Sequence, residues 1–161
     1  MWNKIKKYLP SYIIAIAIPL AVGALSAFIT MGNMQIYTEL KSPPLAPPSW
    51  LFPVVWTLLY VLMGVSSAMV YNNREIDPIN ARSGLTFYAV SLILNFGWSI
   101  IFFNMKSFLL AFIWLIVLFY TIIKTILYYV KVVPAAGYLQ IPHAVWVAFA
   151  GYLNIAIYLL N

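Results

Sequence analysis

The sequence has no cysteine, one histidine and three acidic residues among 161. Without cysteine there is no disulfide, no thiol nucleophile and no iron–sulfur cluster. A single histidine cannot assemble the three or four ligands of a metal centre, so no metal site is expected. No Ser-His-Asp set falls within one membrane depth, and no glycine-rich phosphate loop is present. The acids Glu39, Glu75 and Asp77 fall in polar connecting segments. The apolar runs therefore lack the carboxylate that proton- or sodium-coupled transporters keep within their spans. Conventional hydrolytic, metal-dependent and phosphoryl-transfer chemistry is disfavoured.

Charge is scarce too, at 7% of residues, where a soluble domain averages about a quarter. Hydrophobic residues make up 65%, so the solvent for most of the chain is lipid. Five apolar stretches reach the roughly 20 residues a spanning helix needs: about Tyr8–Thr30, Trp50–Tyr71, Gly84–Phe103, Phe108–Val130 and Ala135–Leu160. The alternation of a membrane barrel is missing, so the expectation is an all-α integral membrane protein, one five-transmembrane-helix bundle over residues 1–161. "NKIKKYL" followed by "ALSA" has the look of a signal peptide, but the apolar run is longer than an h-region and reads as a span.

The net charge of +6 follows the membrane rather than a nucleic acid. Lys4, Lys6, Lys7, Arg74, Arg82, Lys124 and Lys131 gather toward one side, and only Lys41 and Lys106 toward the other. The positive-inside rule then gives a cytoplasmic N-terminus, with the 31–49 loop and the C-terminus external.

Aromatics are abundant, with 6 Trp, 12 Tyr and 10 Phe. Helical spacing puts Trp56, Tyr60 and Met63 on one face of the second span and Asn95, Trp98 and Phe102 on one face of the third. Pro142, Trp146, Phe149 and Leu153 form a similar stripe in the fifth. Such stripes are either ordinary packing faces or the walls of a cavity for a flat apolar ligand. Asn95 and Asn154, within apolar spans, should face the bundle as helix-to-helix hydrogen bonders. His143 is either a haem axial ligand or, as expected here, bonded to a backbone carbonyl freed by Pro142. Pro142 and Pro19 should kink their helices. Small pairs one turn apart, such as Gly23 and Ala27 or Gly64 and Ala68, read as close-packing contacts.

The segment "SPPLAPPSW" cannot form regular helix and is semi-rigid. Ser49 is a candidate cap, and Pro53 sets the start of the second span. A stiff loop carrying Leu45 and Trp50 has the character of a lid over a cavity.

"YTELKSPPLAPPSWLFPVVWTLLYVLMG", "LNFGWSIIFF" and "LQIPHAVWVAFAGYLN" together resemble the translocator protein family (TspO/MBR), also called tryptophan-rich sensory proteins or peripheral-type benzodiazepine receptors. The resemblance covers the whole chain, and its joint pattern is highly specific. It implies a five-helix membrane bundle, often a homodimer, in a bacterial-type member a cell-membrane protein. Its implied function is a receptor for protoporphyrin, haem and similar flat apolar ligands. No cofactor is required, the partners are the lipid bilayer and such a ligand, and nucleic acid is not among them. The ligand-binding positions carried over are Tyr37, Pro47, Trp56, Asn95, Trp98, Pro142 and Trp146. Tyr60 joins them from its stripe and His143 as a histidine within a span. Some members degrade porphyrin in light, in which case Trp56 and Trp146 would be the oxidisable partners. A dedicated enzyme is disfavoured by the missing acid–base set, and a transporter by the absence of intramembrane charge. Departures from the pattern fall at Ile36, Ser42, Leu45, Leu110 and His143. The animal cholesterol motif is absent from the C-terminal end, which reads "GYLNIAIYLLN".

Overall fold

The computed structural model describes residues 2–161, with side chains from Lys7 onward, so the side chains of Lys4 and Lys6 lie outside it. The elements run α1 Trp2–Thr30, α2 Ile36–Glu39, α3 Leu51–Asn72, α4 Pro78–Ser99, a π-helical turn Ile100–Asn104, α5 Phe108–Val132, α6 Pro134–Leu139 and α7 Ile141–Leu160. They give five helical spans long and apolar enough to cross a membrane. The protein is an all-helical integral membrane bundle. Ile13, Phe28, Ile93, Ile116 and Val145 are exposed along its sides, where lipid is as good a solvent for them as a core.

α4 packs chiefly on α5, α1 on α3, and α5 on α7. α1 is the least enclosed: 17% of its most apolar stretch is buried, against 39% for α3. Where α1 does meet α3 the approach is close, because Gly64 faces the backbone of Ala15 and Ile16.

The third span begins at Pro78 rather than Gly84. Asp77 caps it, its carboxylate accepting from the Asn80 N–H at 3.1 Å, and Pro78 fits the first turn, where no N–H is needed. The polar residues between 78 and 84 read as a loop only because this cap was overlooked. Hydrogen bonds from the Asn80 side chain and backbone hold the Asp77 carboxyl below its usual range. The cap is therefore complete above the ordinary carboxylate pKa and weakens as pH falls through the lower folded value. Asp77→Ala should melt below the parent at pH 7, with the gap narrowing below about pH 4. Equal melting of the two at pH 7 would show that the cap does not contribute.

Two other expectations need correction. Ser49 does not cap α3; Trp50 occupies the cap position without a side-chain bond, while Pro53 does fall in the first turn. The fifth span is not one helix kinked at Pro142 but two, α6 and α7, separated at Gln140. Pro142 lies in the opening turn of α7, where its missing donor breaks no helical bond. The junction is pinned to α3 instead: Gln140 Nε2 donates to Ser66 Oγ at 3.2 Å, and Ser66 Oγ donates to the Ala136 carbonyl at 2.7 Å.

Candidate ligand-binding cavity

A cavity of about 490 Å³ opens at the end of the bundle that carries the 31–50 segment. Four helices and that segment wall it. On α3, Trp56 and Tyr60 stand one turn apart with their rings stacked at 5.3 Å. Gly23 of α1 faces Tyr60 so closely that any Cβ there would collide with the ring, and Ala24 and Ala27 continue this flat wall. α4 supplies Asn95 and Trp98.

The π-helical turn then brings both Phe102 and Phe103 to the cavity. Neighbours on an α-helix point roughly 100° apart. Here the Met105 N–H reaches back five residues to the Ile100 carbonyl, at 3.0 Å, and the wider turn accommodates the pair. Their centroids are 4.9 Å apart, and Trp98 stacks on Phe102 at 5.4 Å. From α7 come Ala150, Leu153, Asn154 and Ile157. Asn154 is satisfied on both sides, accepting from Trp98 Nε1 at 3.4 Å and donating to the Ala150 carbonyl at 2.9 Å.

Behind the wall, Asn95 Nδ2 donates to His143 Nε2 at 3.1 Å. In this arrangement the neutral imidazole carries its proton on Nδ1, which has no partner among the described residues. His143 is thus bonded to a side-chain amide and not to a backbone carbonyl, because Pro142 at the helix start frees none. The imidazole edge meets the Trp56 ring at 6.0 Å, so Trp56 has His143 behind it and the cavity in front.

The 31–50 segment contributes Met34, Tyr37 and Ser49 to the lining and is held by several hydrogen bonds. α2 presents Tyr37, whose hydroxyl donates to the Pro47 carbonyl at 3.0 Å and whose ring meets Phe52 edge-on at 5.1 Å. Burial pushes the Tyr37 pKa up, so the phenol stays a neutral donor. Pro43 to Ala46 form a tight turn closed by the Ala46 N–H to the Pro43 carbonyl at 3.2 Å, with Leu45 at φ 67°. The Tyr152 hydroxyl grips the Pro44 carbonyl at 2.7 Å, and Asn161 Oδ1 accepts from the Lys41 N–H at 2.9 Å. The loop and the end of α7 therefore share one face of the membrane.

A model of the TspO/MBR family matches residues 15–160. The chain belongs to the TspO/MBR family. It is 39% identical over 150 residues to a tryptophan-rich protein TspO of Chlorobaculum tepidum, covering 92% of this chain and 94% of the relative. It is 34% identical over 139 residues to the protein CrtK of Rhodobacter capsulatus, covering 86% and 85%. To the translocator protein of Bos taurus it is 33% identical over 138 residues, covering 85% and 82%.

In this TspO/MBR chain, Tyr37, Trp56, Tyr60, Asn95 and Trp98 meet around one space. Pro47, Pro142, His143 and Trp146 are not on its wall. The Pro47 carbonyl instead accepts from the Tyr37 hydroxyl within the 31–50 segment. Pro142 is exposed at the start of α7. His143 is buried behind Trp56. Trp146 is displaced by Phe52, which meets it edge-on at 5.8 Å and takes the wall position itself. The α1 wall was missed because Gly23, Ala24 and Ala27 carry no chemistry of their own. The small pair Gly23 and Ala27 was the available signal, since it marks where something large comes close.

Proposed function

We propose that this chain is a membrane binding protein for flat apolar molecules of the tetrapyrrole class, protoporphyrin or haem, taken into the cavity beneath the 31–50 loop. The observation that supports this best is the concentration of rings around one cavity, the stacked Trp56–Tyr60 pair together with Trp98, Phe102 and Phe103. Ring faces favour a flat guest, and the volume lies within the roughly 300–1,000 Å³ of small-molecule sites. The described lining residues include no histidine and no charged side chain. Haem would therefore be held by its face rather than by an axial ligand, since His143 Nε2 is engaged by Asn95. Carboxylates on the guest would point to the mouth. Titration of purified protein with protoporphyrin and with haem, followed by tryptophan quenching, should saturate at about one per chain. Unsaturable quenching with both, by folded protein, would sink the reading.

The proposal extends to a homodimer in a bacterial cell membrane, with the N-terminus cytoplasmic and the loop and C-terminus external. Because the chain has no cysteine of its own, single-cysteine labelling reads orientation directly. A cysteine at Gln35 should react with an impermeant reagent applied outside, and one at Glu75 only from the cytoplasmic side. The reverse pattern would invert the topology.

A further inference from the structure

A second cleft, of about 740 Å³, opens at the opposite end of the bundle between α1, α3 and α4. Its floor is apolar, formed by Ile14 and Ile18 of α1 and Leu85 of α4. Ile14 and Ile18 are also more than half or half exposed along the lipid-facing side, at 59% and 50%, so the cleft opens sideways into the membrane. Lys7 and Arg74 stand at its mouth, with Glu75 beside them. Arg74 is fixed by Nη1 donating to the Tyr71 carbonyl at 2.8 Å and by its guanidinium lying 4.2 Å over the Tyr71 ring. The Lys7 ammonium lies 5.5 Å over the Tyr8 ring.

Behind this lining the Tyr88 hydroxyl and Asn72 Nδ2 are fully buried, closed off from the open space of the cleft. Tyr88 is only 7% exposed and lines the cleft. Asn72 has its Oδ1 engaged by the Ser11 hydroxyl at 2.9 Å, which leaves the amide nitrogen directed elsewhere.

We propose that this cleft seats one anionic phospholipid from the leaflet on that side. The phosphate lies between Lys7 and Arg74. An acyl chain follows Ile14 and Ile18 out to the bilayer. The two cations against one Glu75 select a negative head over a zwitterionic one, and the apolar floor has no use for a free phosphate. The site is independent of the cavity at the other end, so either reading can fail without the other.

The test is native mass spectrometry of the purified chain titrated with phosphatidylglycerol or with phosphatidylcholine of the same acyl chains. One phosphatidylglycerol should be retained per chain, more tightly than phosphatidylcholine. Each cation contributes about fivefold near a lipid surface, so Lys7→Gln with Arg74→Gln should weaken phosphatidylglycerol roughly thirtyfold. Lys41→Gln with Lys106→Gln, on the other face, should change nothing. Circular dichroism and size exclusion check that each variant is folded. Unchanged affinity in the Lys7 and Arg74 double variant overturns the proposal, as does equal retention of phosphatidylcholine. Equal loss in the Lys41 and Lys106 variant would mean diffuse attraction, and competition by inorganic phosphate alone would mean a phosphate site; either result also overturns it.

Discussion

Trp56→Ala should lose protoporphyrin affinity by about 1–3 kcal/mol, roughly five- to 150-fold, the range found when a stacking aromatic is removed from beneath a nucleobase. An indole offers on the order of 200 Å² of contact surface and has little flexibility to lose. Trp56 is set for that role because its ring is held from two sides, stacked on Tyr60 at 5.3 Å and met by the His143 edge at 6.0 Å. Trp56→Phe should fall between alanine and the parent, since it keeps a π face. Trp146→Ala should cost less than Trp56→Ala, because its influence reaches the wall only through Phe52. Equilibrium titrations on the three variants decide the matter. Equal losses at 56 and 146 would place the ligand elsewhere than in this cavity, and no loss at either would make both tryptophans packing residues.

Gly64→Ala should destabilise the bundle by about 1–3 kcal/mol, the usual cost of overfilling a packed interior. The added Cβ would lie 2.5 Å from Ile16 Cα and 2.6 Å from the Ala15 carbonyl oxygen. These are main-chain atoms with no rotamer to escape into, so α1 as a whole must move off α3. α1 also carries Gly23, Ala24 and Ala27, so the same step widens the cavity. The variant should therefore both melt earlier and bind protoporphyrin less tightly. Gly32→Ala is the control, since nothing lies within 4 Å of its added methyl. A parent-like melting temperature for Gly64→Ala would show that the contact between the two helices is looser than this geometry.

The sequence was most informative where a helical face and a cavity wall coincide. Asn95, Trp98 and Phe102 were expected on one face of the third span, and all three line the space. Spacing identifies a face but not what the face meets. Met63 shares the stripe of Trp56 and Tyr60 and yet lies in the fully buried core. Trp146 shares the stripe of Leu153, but Phe52 from another helix intervenes. Such a displacement depends on two segments far apart in the chain, which no local period records. Phe103 was illegible for a different reason: an α-helical period puts it away from Phe102, and only the π-helical turn brings it back. The split of the fifth span at Gln140 depends on Ser66 of α3, again a long-range partner. The non-helical backbone of the proline segment was the easiest part to read, since consecutive prolines restrict it whatever surrounds them.

The π-helical turn at Ile100–Asn104 makes the cavity's far wall a matter of arithmetic along the backbone. Phe102 and Phe103 stand side by side because one extra residue is wound into that turn. A side-chain substitution there trims the wall, whereas removal of a single residue would return the helix to its ordinary winding and rotate one ring of the pair out of the site. Such a deletion would also shorten the run to Asn104, whose amide oxygen accepts from Asn33 Nδ2 at 2.9 Å. The shape of the wall and the anchorage of the 31–50 segment are thus tied to the same residue count, so a change in chain length at this one place would alter both together.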